Sequence, residues 1–254
     1  MTKLWTTDHT RRVAFVAGIF YLLTFIASIP ASLLLPPLLS GANYITGAGA
    51  DAPIGLAAVL EMVNILTLIG TAVAVFSVVK RQHESLAVGF VATRLFEGAV
   101  IAVGVVSILA VAALRQTVAG GADAESVVPV ATALVAVRDW TIVIGPGMAA
   151  FNALMFGTLL FRARLVPRAI PALGIVGAPV FISFLIATML GITGPFTVWH
   201  GIAVAPFFIW ELAVGLWMTF KGFSPSSPIL SATAATAGTT RSAHAVAAAK
   251  AGAA

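Results

Sequence analysis

The sequence predicts an all-α fold: a polytopic transmembrane bundle of six helices followed by a disordered Ala/Ser/Thr-rich C-terminal tail. Three observations carry this. First, 60% of the 254 residues are hydrophobic and only 9% are charged, with a mean hydropathy of +1.05; soluble domains carry about a quarter charged residues. Second, the charges cluster between apolar runs near the ~20 residues that a bilayer crossing demands. Third, Lys and Arg fall almost entirely on alternate connections, the positive-inside pattern of membrane helices.

The chain divides into a cytoplasmic leader (1–12), a membrane domain (13–223) and a flexible cytoplasmic tail (224–254). After the leader, Arg11-Arg12 precede an apolar run from Val13 to about Leu35. A cleaved signal peptide has a shorter apolar core of about 7–15 residues, so this run reads as an uncleaved signal anchor. Pro36-Pro37 ends it, because proline lacks the amide that a continuing helix needs. The Gly-rich stretch Ser40–Pro53 has no Lys or Arg and reads as an external loop.

The second run, Ile54–Val79, stops at the charged turn Lys80-Arg81-Gln82-His83-Glu84. Leu86–Leu114 is the third, and Arg115–Pro129 the second external loop. The fourth run, from near Val130 to Phe161, is interrupted by Arg138-Asp139 and by Gly145-Pro146-Gly147. Arg162, Arg164, Pro167 and Arg168 mark the next turn. The fifth run is Ala169–Ile192, and Thr193–Val198 is a tight external turn. His200–Phe223 is the sixth run. Beyond it the composition of Ala, Ser, Thr, Gly and Pro buries little apolar surface, which predicts disorder.

With a cytoplasmic N-terminus the inner side holds Lys3, Arg11, Arg12, Lys80, Arg81, Arg162, Arg164, Arg168, Lys221, Arg241 and Lys250, and the outer side only Arg115. The expected setting is therefore a cell membrane, crossed several times, with both termini cytoplasmic. The net charge of +5 is accounted for by these loops, so nucleic acid is not an expected partner. The lipid bilayer is one, together with a small-molecule ligand or a membrane-protein partner. With no Cys, thiolate chemistry, disulfides and Cys-ligated metals are excluded. No phosphate-cradling Gly loop, HExxH or GxSxG occurs. No cofactor, metal or catalytic residue is predicted.

Charges inside the runs are the candidate site residues, since ionisable groups in hydrocarbon are costly and need partners. At about 1.5 Å per residue, Arg94 lies about 12 Å from the inner end of its run, Glu97 about 17 Å, and Glu211 about 15 Å above Lys221. Arg94 and Glu97, three apart, share a helix face. The expectation is a buried polar cluster of Arg94, Glu97 and Glu211 between the third and sixth helices, read as a structural ion-pair group or as a ligand or proton site. A second, outer polar layer is expected from Glu61, Asn64, Arg138, Asp139 and His200. Arg138-Asp139 is read there as an interfacial pair opening the fourth helix, and His200 beside Trp199 as an interfacial anchor. Asn152 falls near the face of Arg138 on the same helix.

Several short motifs recur in a fixed order: Arg11-Arg12-Val-Ala-Phe-Val-Ala-Gly-Ile-Phe-Tyr21, Arg94-Leu-Phe-Glu97, Asp139-Trp-Thr-Ile-Val-Ile-Gly145, Phe156-Gly-Thr-Leu-Leu-Phe-Arg162, Leu165-Val-Pro-Arg168, Ala172-Leu-Gly174 and Pro206-Phe-Phe-Ile-Trp-Glu211, then Leu216-Trp217 and Lys221-Gly222. In this order the chain, from about Arg11 to Phe223, resembles the bacterial multi-pass family catalogued as domain of unknown function 4386. It departs at Arg138-Asp139-Trp140, where related chains often carry a His before an aromatic, so no role of that His carries over. The resemblance implies the fold and topology and brings no established activity. The leading functional expectation is a non-enzymatic integral membrane protein whose buried charges are structural. The alternatives are a small-solute or proton-coupled carrier using Glu211, Arg94 and Glu97, and a membrane enzyme acting on lipid near the outer face.

Overall fold

The fold is known from a computed structural model that describes residues 2–35, 43–47, 51–195 and 197–231. The Pro36-Pro37 stop, much of the Ser40–Pro53 loop and residues 232–254 of the predicted tail lie outside these. Among the described residues there is no strand, and six helices are long and apolar enough to cross a membrane. They are α1 (Thr2–Leu34), α2 (Ala52–Val79), α3 (Glu84–Ala119), α4 (Ala124–Asn152), α5 (Ala169–Met189) and α6 (Val198–Phe220). α4 runs on through a π-helical turn, Ala153–Gly157, into Thr158–Ala163. The chain is a multi-pass membrane protein.

The ends of these helices follow local chemistry more closely than hydropathy. α1 reaches back to Thr2, so the polar leader continues the first helix. α3 begins at His83, whose Nδ1 accepts from the amide of Leu86 at 3.3 Å. α4 begins at Ala124, well before Val130, because the Asp123 carboxylate caps it by accepting from the Glu125 amide. The predicted external loop thus shrinks to a turn, and Pro129 sits in an early turn of the helix. Arg138-Asp139 does not open α4; it lies well inside it. α6 stops at Lys221 and Gly222, where φ of +78° favours a residue without Cβ.

Each helix packs mainly on its neighbours in chain order, and α6 returns to α1, closing a ring. Small residues let the helices approach. A Cβ at Gly18 would lie 2.9 Å from the Gly215 carbonyl across the α1–α6 contact, and one at Gly174 would lie 2.5–2.7 Å from the Trp210 ring across α5–α6. The outer surface is apolar, with Ile26, Leu66, Val106, Val176 and Phe220 all exposed. Arg94, Glu97, Glu61 and Arg138 are buried. This polarity, apolar outside and charged inside, suits a hydrocarbon solvent.

At 36 residues, α3 is about 54 Å long, well beyond the ~30 Å hydrocarbon core, whereas α5 has 21 residues and α6 has 23. The overhang has its own apolar core of Leu35, Tyr44, Ile54, Ile108, Val111 and Ala131. At the other end, Arg11 donates to the carbonyls of Met218 (3.3 Å) and Thr219 (2.9 Å), satisfying orphan acceptors of α6. The start of the expected free tail is also docked there: Ser227 is fully buried and donates to the Ala163 carbonyl, and the Ser224 amide donates to that of Leu165. These residues correct the expectation that the chain buries little from Ser224 onward.

Candidate functional site

The centre of the ring is organised by Arg94. Its Nη1 donates to Glu97 Oε2 at 3.1 Å, one turn along α3, and its Nη2 donates to Glu211 Oε1 of α6 at 2.7 Å and to the Tyr21 hydroxyl of α1 at 3.1 Å. Glu97 Oε2 also accepts from Asn152 Nδ2 of α4 at 2.7 Å, and the Asn152 Oδ1 accepts from the Thr93 hydroxyl. Four helices therefore meet in one network. Arg94 is 2% exposed and Asn152 0%.

Aromatic rings pack against it. The Arg94 guanidinium lies 5.4 Å from the Tyr21 ring and 5.7 Å from Phe90, and Phe156 stacks on both rings. Phe156 belongs to the π-helical turn that follows Asn152. That wide turn brings Asn152 and Phe156 to the same network, a placement in keeping with the frequent occurrence of π-bulges beside functional groups. The charged inventory is one guanidinium against two carboxylates.

The second layer, expected near the outer face, is smaller. Arg138 Nη2 of α4 donates to Glu61 Oε1 of α2 at 2.6 Å, and both are buried. Arg138 packs at Gly104 of α3, where an added Cβ would meet it at 2.6 Å. Asn64 is buried one turn from Glu61, and its Oδ1 has no hydrogen-bond partner. Asp139 is exposed on the outside of α4, about 100° around the helix from Arg138. The His200 ring stacks on Phe184 of α5 at 4.9 Å. No group of three or more His, Asp or Glu close enough to hold a metal occurs among the described residues.

A family model described as "Domain of unknown function (DUF4386)" matches residues 16–222. The chain belongs to this family. Comparison with curated proteins yields no match, and comparison with solved structures yields none. The matched region of this DUF4386 chain contains every residue of both layers and ends before the docked segment around Ser227.

Three partners of the central network were missed by sequence reasoning. Tyr21 reads as one aromatic in an apolar run. Thr93 reads as a backbone-bonded helix hydroxyl, which it also is, at 3.0 Å from the Gly89 carbonyl. Asn152 was placed with Arg138 on helical arithmetic, yet it bonds Glu97. A buried carboxamide two turns after Pro146 was the available signal. A further polar group outside the spans was also missed. Asp51, just ahead of α2, accepts from Arg115, from Gln116 Nε2 (3.2 Å) and from the Tyr44 hydroxyl (3.1 Å), while Arg115 also donates to the Gly47 carbonyl.

Proposed function

We propose that this DUF4386 chain is a non-enzymatic component of the cell membrane, its buried charge network serving to hold the ring of helices closed. The observation that carries this reading is that Arg94 spends both terminal nitrogens on groups of its own chain, from α1, α3 and α6, in a setting that is almost fully buried. Both termini are cytoplasmic in this reading. Its support is the charge pattern: Arg11, Lys80, Arg81, Arg162, Arg164, Arg168 and Lys221 fall at one end of the bundle and Arg115 at the other. A reporter fused after Gly222 and found outside the cell would overturn that orientation.

A second reading, a small-solute or proton-coupled carrier, is favoured by one observation: two carboxylates share one guanidinium, and the Glu211 side chain keeps 14% of its surface exposed. Glu211→Gln separates the two. Removing one charge-assisted hydrogen bond costs about 1.5–3 kcal/mol, so the structural reading expects a lower unfolding midpoint in detergent and no change in proteoliposome flux. A pH-dependent flux that disappears in Glu211→Gln at equal protein loading would replace the structural reading by the carrier.

A further inference from the structure

We infer that the cleft between α2 and α3 at their Lys80 end is a binding site for an anionic phospholipid, with one acyl chain in the cleft and the phosphate at Lys80. The cleft has a volume of about 220 Å³ and is lined by Val73 and Phe76 of α2 and Val88 and Val91 of α3. Val73 is 61% exposed and Val88 51%, so it opens away from the ring, toward hydrocarbon. All four walls are apolar and offer nothing to a polar solute. A water takes about 30 Å³, so the space has the scale of a chain segment, far above a packing defect.

Its placement matches the course of a lipid. Val73 precedes Lys80 by seven residues, about 10 Å along the helix. The cleft therefore begins just below the turn joining α2 to α3 and runs into the membrane. A cation is fixed at its mouth: Lys80 Nζ lies 5.4 Å from the centroid of Phe76, which is itself a wall. Arg81 beside it is exposed, as is Glu84 in the first turn of α3, while His83 uses Nδ1 to cap that helix. Two cations against one carboxylate leave the mouth positive at headgroup depth. A zwitterionic lipid fills the cleft with the same chain but presents a cationic group to Lys80. Selection is thus for net negative charge, about fivefold for one basic residue at the membrane surface, the equivalent of ~1 kcal/mol.

The test uses the full chain carrying Leu95→Trp as a reporter, an exposed position one turn beyond Val91 and outside the cleft lining, reconstituted in phosphatidylcholine vesicles. A minor fraction of the lipid is either brominated phosphatidylglycerol or brominated phosphatidylcholine, and quenching of the native tryptophans, measured on the parent protein, is subtracted. The expected result is an apparent association about fivefold stronger for brominated phosphatidylglycerol, falling severalfold with Lys80→Gln. Equal quenching by the two lipids, or a preference that Lys80→Gln leaves unchanged, overturns the site. Leu66→Trp, exposed on α2 and likewise outside the lining, serves as the reporter if the first variant does not fold, and the same two outcomes apply to it.

Discussion

Arg94 Nη2 lies 2.7 Å from Glu211 Oε1, so a side chain of α3 is tied directly to the helix opposite it in the ring. The same guanidinium holds Glu97, which makes the network strongly coupled. Arg94→Leu leaves the buried Glu97 and the partly buried Glu211 without their cation, a loss of about 3–5 kcal/mol. Adding Glu97→Gln and Glu211→Gln to Arg94→Leu removes the stranded charges, and neutral replacements of buried ion pairs are often tolerated. The triple variant is therefore expected to be more stable than Arg94→Leu alone in equilibrium unfolding in detergent. A triple variant that is no better would mean that Arg94 matters for its packing and not for its charge.

The outer pair is expected to behave as an independent lock. Arg138 packs at Gly104, ten residues along α3 from Arg94 and hence about 15 Å away. Effects of sites more than about 7–10 Å apart with no shared partner add to within about 0.3–0.5 kcal/mol. Arg138→Leu combined with Arg94→Leu should then destabilise by the sum of the two single losses. A shortfall larger than that margin would show that the two layers communicate. Gly104→Val, which drives a side chain into Arg138 and Thr141, should reproduce the loss seen in Arg138→Leu.

Most of the membrane fold was legible in the sequence because hydropathy and positive charge act over whole segments. The ends were less so, because they are decided by single groups: the Asp123 cap starts α4 ahead of its apolar run, and with that start Arg138 becomes an internal residue. Arg94, Glu97 and Glu211 were legible because a charge in an apolar run has few explanations. Tyr21 and Asn152 were not. Either residue is at home in a helix core, and what recruits them is the ring closure and the π-helical turn, properties of the packed bundle that no local spacing encodes. The Asp51 group was hidden for a related reason, as its partners come from two separate segments, Tyr44 and Arg115-Gln116.

That last group gives a pH prediction outside the spans. Burial pushes the Asp51 carboxyl up, but hydrogen bonds from Gln116, Arg115 and Tyr44 together with the Arg115 charge bring it below the ordinary aspartate range. A depressed folded value means that the carboxylate stabilises the fold above its unfolded value of about 3.9, and that this contribution is lost as pH falls through the lower folded value. Tyr44 works in the other direction. Burial and then the bond to Asp51 raise it, so its contribution is complete below the ordinary tyrosine value of about 10 and fades as pH rises through the higher folded value. The thermal midpoint of the parent minus that of Asp51→Asn should be steady between about pH 5 and 9 and shrink below about pH 4. The same difference taken against Tyr44→Phe should shrink above about pH 10. A difference that is flat at both ends would mean that the bonds joining Tyr44, Asp51 and Arg115 add nothing to the outer end of the bundle.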